Sequence, residues 1–137
     1  MFGYKKTEYK GITTFSFQHN EMKQWMVDHY NKYNWFYFDG ILPEDIICMP
    51  INRKNIKFLG CANNNPYKIR LNFRYDLPEI EWQNVLLHEM VHIWQFVMEY
   101  KDVHGISFKK KAKELNKYGW NITKYHKNII EKLKDVR

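Results

Sequence analysis

The ten residues LLHEMVHIWQ, Leu86 to Gln95, constrain the fold of this chain more than any other stretch. They lie in a strongly apolar run whose length and periodicity predict a buried helix over residues 79–100. His88, Glu89 and His92 are the ionisable groups set into its centre. A buried carboxylate without a counter-charge is costly. The sequence therefore indicates that this helix meets a cation inside the protein.

The spacing of these three groups is typical of a catalytic metal site. His88 and His92 are four residues apart, which places both imidazoles on one face of a helix, one turn apart. Glu89 follows about 100° around the helix, where it can act as a general base for water beside the ion without binding it. Zinc suits imidazole ligands and needs no redox partner. The pattern predicts zinc-dependent hydrolysis of peptide bonds, with Glu89 as the base.

A catalytic zinc ion usually has three protein ligands and one open position, so a third ligand is required. His104 lies twelve residues after His92, far enough for the chain to turn back after the helix, and Gly105 next to it permits a close backbone approach. We predict His104 as the third ligand. The acidic side chains of Asp102 and Glu114 are the alternatives.

The rest of the sequence predicts a small α+β domain that spans residues 1–137, with an N-terminal helix, a three-stranded sheet and C-terminal helices. Ser107 is predicted to cap the first C-terminal helix, and Tyr118 to face inward from it. The expected elements are an extended lead-in (1–15), a helix (18–34), three strands (46–51, 56–62, 67–72) and the helices 79–100, 108–118 and 124–135.

Positive charge is concentrated at the end of the chain. Residues 101–137 hold 11 of the 22 basic residues but 4 of the 15 acidic ones, and so carry the whole net charge of +7. Such asymmetry indicates an anionic partner, although a solvated lysine face would look the same. Aromatic residues among lysines can stack on single-stranded bases. The candidate nucleic-acid contacts are Lys109, Lys110, Lys111, Lys113, Lys117, Trp120 and Lys124.

Other compartments and partners are disfavoured by what the sequence does not contain. No apolar run approaches the ~20 residues of a membrane span, and the N-terminus has no apolar signal segment. We therefore expect a cytoplasmic monomer with no membrane partner. Cys48 and Cys61 are too few for a disulfide scaffold or a four-cysteine zinc ribbon, and we interpret both as core thiols.

Several segments together resemble the SprT-like (Spartan-type) metalloproteases. They are YFDGILP (37–43), LGCA (59–62), YKIRLN (67–72), LLHEMVHIWQ and HGISFKKKAKELNKYG (104–119). The resemblance implies a zincin-like domain with an HExxH zinc helix, one zinc ion on His88, His92 and His104, and a catalytic Glu89. It also implies protein substrates that are bound or crosslinked to DNA, with single-stranded DNA favoured, and hence a location at the nucleoid or in the nucleus.

The chain departs from the family at its C-terminal end. Many SprT-like proteins carry a zinc ribbon there, and no such segment precedes Arg137. We therefore expect a short stand-alone form in which the catalytic domain itself makes any contact with DNA. Two alternatives stay open: a zinc peptidase whose substrate is unrelated to DNA, and a non-catalytic nucleic-acid-binding domain with a structural zinc ion.

Overall fold

The computed structural model describes residues 18–123 and shows an α+β fold of three helices and one sheet, as the sequence predicts. The segments expected at 1–15 and 124–135 lie outside the described residues, and the single domain over 1–137 stays a prediction. None of the described helices is long and apolar enough to cross a membrane. The elements are α1 (His19–Tyr37), β1 (Ile47–Ile51), β2 (Gly60–Asn64), β3 (Tyr67–Asn72), α2 (Glu79–Val97) and α3 (Ile106–Asn116).

The sheet has the order β1-β3-β2, so β3 is central and β2 forms one edge. β3 pairs in parallel with β1 and antiparallel with β2, and Ile69 lies opposite Cys48 on one side and Ala62 on the other. α2 packs against β2 and β3, while α1 and α3 contact α2. The three elements around α2 thus bury most of its surface, including Trp82, Leu86 and Met90. This burial explains why the sequence of α2 is apolar on nearly every side.

Two of the helices end where an ordinary residue adopts a left-handed conformation. α1 continues to Tyr37, three residues beyond the predicted end, and stops before Asp39 (φ 53°) and Gly40 (φ 72°). α2 stops at Val97, three residues before the predicted end, because Glu99 has φ 62°. A left-handed residue cannot continue a right-handed helix. Both predicted ends were therefore wrong by about one turn.

The predicted start of β2 and the predicted bounds of α3 were also wrong. β2 begins at Gly60 rather than 56, because the tight turn after Asn64 pairs that residue with Tyr67 and so sets the register. α3 spans residues 106–116 rather than 108–118. Ser107 is not its cap: the helix begins one residue earlier, and the backbone N–H of Ser107 donates to the carboxylate of Asp102. Since α3 ends at Asn116, Tyr118 is 72% exposed instead of facing inward.

Asn72 holds the loop between β1 and β2 against the sheet. Its side chain is fully buried, and its amide group donates to the carbonyls of Arg53 and Ile56 at 3.0 and 3.1 Å. Its carbonyl oxygen accepts from the N–H groups of Arg53 and Arg74 at 3.1 and 3.3 Å. One side chain therefore satisfies four backbone groups, and it fixes the loop that leads into Gly60.

We expect Asn72→Ala to lower the free energy of unfolding by about 2–4 kcal/mol, because it leaves buried backbone donors and acceptors without partners. The measurement is chemical denaturation with urea. Asn31→Ala is the matched control: Asn31 is exposed on α1, and its replacement should change stability by less than about 0.5 kcal/mol. Equal destabilisation by the two variants would contradict the role given to Asn72.

Candidate metal centre

Three histidine rings from two segments of the chain converge at one point. α2 provides His88 and His92, and the turn before α3 provides His104. The Nε2 atom of His92 lies 3.2 Å from that of His88 and 3.1 Å from that of His104. One ring nitrogen from each residue lies within 4.8 Å of the other two. Within residues 18–123, no other group of three histidine, cysteine or acidic side chains converges in this way.

The donor set fits a metal ion. A neutral imidazole presents a lone pair on one ring nitrogen, and a single divalent cation can accept such a lone pair from all three rings at once. His88 is buried, whereas His92 and His104 are half-buried, so the three nitrogens face a space that is open on one side. Three nitrogen ligands with one open side is the arrangement of a catalytic rather than a closed structural site.

The return of the chain after α2 brings His104 to this point. Glu99 turns the chain, and the N–H of Tyr100 donates to the carbonyl of Gln95 at 2.9 Å. The carboxylate of Asp102 then accepts from the hydroxyl and the N–H of Ser107 at 2.6 and 2.7 Å, and these bonds hold the pKa of Asp102 below its usual value. A side chain at Gly105 would collide with Asp102, since a Cβ atom there would lie 2.9 Å from the Asp102 carboxylate.

The two alternative ligands make other contacts in the structure. Asp102 caps α3 through Ser107, and Glu114 forms an ion pair of 3.1 Å with Lys111. Neither belongs to the cluster of converging ligand atoms, whereas His104 does. The geometry therefore favours His104 as the third ligand.

Phe108 packs beneath all three histidine rings. Its ring centroid lies 4.9 Å from that of His88, 5.1 Å from that of His92 and 5.0 Å from that of His104. The side chain is 1% exposed. Sequence analysis placed Phe108 on the inner face of its helix but missed this role. The signal was its position four residues after His104, which is one helical turn.

Glu89 lies next to the metal cluster, on the wall that α2 shares with β2. Its side chain is 4% exposed and packs against the backbone of Gly60. A Cβ atom at Gly60 would stand 3.0 Å from Cγ and Oε2 of Glu89 and 3.0 Å from Val85. The absence of a side chain at Gly60 thus makes room for the carboxylate. Sequence analysis quoted LGCA without assigning Gly60 a role, because the contact joins residues far apart in the chain.

An open cleft of about 400 Å³ leads to the cluster and to Glu89. Its other walls are largely apolar and include Phe58, Phe96, Tyr100 and Val103. Cys61 also lines the cleft and is half-buried, so the prediction of a core thiol is wrong for it. Cys48 is a core thiol, and burial raises its pKa to about 11.

The predicted nucleic-acid residues fall into two groups in the structure. Lys109, Lys110, Lys113 and Lys117 are exposed on or just beyond α3. Lys111 is half-buried: its ammonium donates to the carbonyl of Tyr37 at 2.8 Å and lies 4.8 Å from the ring centre of Phe38.

Trp120 is half-buried as well, and its indole N–H donates to the hydroxyl of Tyr37 at 2.9 Å. Its ring packs on that of Tyr33 at 5.5 Å. Lys111 and Trp120 therefore make contacts that connect α1 with the C-terminal part of the fold. Lys124 lies outside the described residues.

Comparison with known proteins identifies the family. None of the curated proteins compared with the chain matches it. The sequence model of the SprT-like family matches residues 26–126, a range that includes the whole of α2 and α3 and all three converging histidines. Because this match covers most of the chain, the protein belongs to the SprT-like family.

Proposed function

We propose that this protein is a zinc-dependent metallopeptidase that hydrolyses peptide bonds in protein substrates. The observation that carries the proposal is the convergence of the Nε2 atoms of His88, His92 and His104 beside the buried carboxylate of Glu89, at the base of an open cleft. Membership of a zinc-associated peptidase family is consistent with this geometry.

In the proposed mechanism, His88, His92 and His104 hold one zinc ion. When bound, zinc supplies Lewis acidity, which makes water more acidic and polarises a carbonyl group. Glu89 takes a proton from the attacking water and returns it to the leaving amine. Gly60 and Val85 fix the side chain of Glu89 in one place, and Phe108 holds the three rings in their orientation. The apolar cleft walls limit the access of bulk water.

A non-catalytic structural zinc site is the less favoured function. Such a site is normally closed by four protein ligands, whereas the cluster among the described residues has three. Glu89 would also have no task in a structural site, and the burial of its carboxylate would need another explanation. Zinc binding without any peptide cleavage would nevertheless establish this alternative.

Glu89→Gln should retain one zinc ion per chain and reduce the rate of casein cleavage by at least about 100-fold, because the amide cannot accept the proton from water. Zinc content is measured by atomic emission and cleavage by a fluorescent casein assay. His104→Ala is the matched variant, and it should lose zinc and activity together. Full activity of Glu89→Gln would exclude Glu89 as the base, and undiminished zinc in His104→Ala would exclude His104 as a ligand.

Gly60→Ala tests the position of the base without changing a ligand. The added methyl group displaces the Glu89 carboxylate, so the rate of cleavage should fall by about tenfold or more while zinc content stays at the wild-type level. Asn63→Ala, on the same strand and exposed, is the control and should leave both unchanged. Wild-type activity of Gly60→Ala would show that the contact between Gly60 and Glu89 has no catalytic role.

We further propose that the substrates are proteins bound to or crosslinked to DNA. Exposed lysines on α3 support an anionic partner. Beside them, a depression is lined by Phe36, Tyr37, Lys117 and Tyr118, and Phe36 and Tyr118 are 65% and 72% exposed. Exposed rings next to a lysine suit single-stranded bases better than the half-buried Trp120 does. The alternative is a peptidase whose substrate is unrelated to DNA.

Reversal of two charges tests the DNA proposal. The double variant Lys113→Glu, Lys117→Glu should bind a single-stranded oligonucleotide about tenfold more weakly, with a salt dependence reduced by about two phosphate contacts. Lys54→Glu, Lys57→Glu changes the same charge on the loop before β2 and should bind as the wild type does. Fluorescence anisotropy measures binding, and casein cleavage is compared with and without DNA. Cleavage that ignores DNA, together with no oligonucleotide binding, would favour the alternative.

A further inference from the structure

A chain of hydrogen bonds leads from the metal cluster to the surface through Gln95, Ser107 and Asp102. The carbonyl oxygen of Gln95 lies 2.8 Å from Nδ1 of His92, on the side of the ring opposite the cluster. The amide nitrogen of Gln95 donates to the hydroxyl of Ser107 at 2.9 Å. That hydroxyl donates to the carboxylate of Asp102 at 2.6 Å. Gln95 is 3% exposed, so its amide needs these partners.

The chemistry at the end of this chain sets the direction of every bond in it. An ionised carboxylate can only accept, so the single hydroxyl hydrogen of Ser107 points to Asp102. Ser107 must then accept from the amide nitrogen of Gln95, which leaves the carbonyl oxygen of Gln95 facing His92. That oxygen can only accept, so Nδ1 of His92 carries the proton. The lone pair of the neutral ring is therefore on Nε2, which is the atom that faces the other two histidines.

The same carboxylate also shapes the loop that carries His104. Its second oxygen accepts from the backbone N–H of Ser107 at 2.7 Å, at the first turn of α3. The backbone carbonyl of Asp102 accepts from the N–H of Gly105, which closes the turn around His104. Asp102 thus contributes to the position of two ligands, one through Gln95 and one through the backbone.

We propose that Asp102, Ser107 and Gln95 are positioning residues that fix the tautomer of His92 and so prepare its Nε2 atom to bind zinc. None of the three needs to touch the ion or a substrate. Partners of this kind behind a metal-binding histidine typically change metal affinity by about 10–100-fold. The proposal rests on the proposed function only for the identity of the ion.

Gln95→Met tests the relay, because methionine has a similar length and no strong acceptor. Zinc affinity, measured by competition with a chromophoric chelator, should fall by about 10–100-fold. Gln95→Glu keeps an acceptor for His92 and should restore affinity to within about threefold of the wild type. Gln83→Met is the matched control: it removes a 2.9 Å hydrogen bond from Gln83 to Tyr33 on the same helix, away from the cluster. Equal zinc affinity in Gln95→Met and Gln83→Met would overturn the proposal.

Nitrogen-15 NMR of the metal-free protein provides a second readout that a merely structural role of Gln95 would not move. Above the titration range of histidine, the wild-type spectrum should show His92 protonated at Nδ1, and Gln95→Met should show a mixture of both tautomers. A wild-type ring protonated at Nε2 would overturn the relay. A wild-type protein with the expected tautomer but no zinc affinity would instead overturn the proposed metallopeptidase and leave the relay intact.

Discussion

The convergence of three imidazole nitrogens from two segments of the chain is the constraint on which the rest of the structure depends. Two of the rings follow from the helical spacing of His88 and His92, which α2 provides by itself. The third ring must be returned to the same point by the chain between Val97 and Ile106. Phe108 contacts all three rings at about 5 Å and so limits the orientations that each can adopt. The short α3 is thus as much a part of the site as the helix that carries the histidine pair.

Buried polar side chains rather than apolar packing alone fix the loops around the site. Asn72 satisfies four backbone groups of the loop that precedes Gly60, and Asp102 closes the turn around His104. Asn34 clasps both backbone groups of Leu42, at 3.0 and 3.2 Å, behind α1. A buried hydrogen bond contributes only about 1 kcal/mol net, but its loss leaves a costly orphan. Such side chains therefore select one loop conformation more than they add stability.

The features that could be predicted from the sequence are those that depend on nearby residues. The α+β class, the existence of all six described elements and the histidine pair follow from local periodicity. The ends of α1 and α2 could not be predicted, since Asp39 and Glu99 adopt left-handed conformations that their residue types do not require. The contact of Gly60 with Glu89 joins residues 29 positions apart, and it exists only because β2 lies beside α2.

The two faces of α3 give the proposed DNA contact and the proposed active site a common support. The inner face packs through Phe108, Ala112 and Leu115, while Lys109 and Lys113 are exposed on the same eleven residues. A helix with its side chains is about 10–12 Å across, so an anion held by those lysines would lie within a few side-chain lengths of the histidine cluster. A short, well-packed helix has no second arrangement to which binding could shift it. We therefore infer that DNA would act on this protein by bringing substrate close to the cleft, as an increase in local concentration, rather than by reshaping the metal centre.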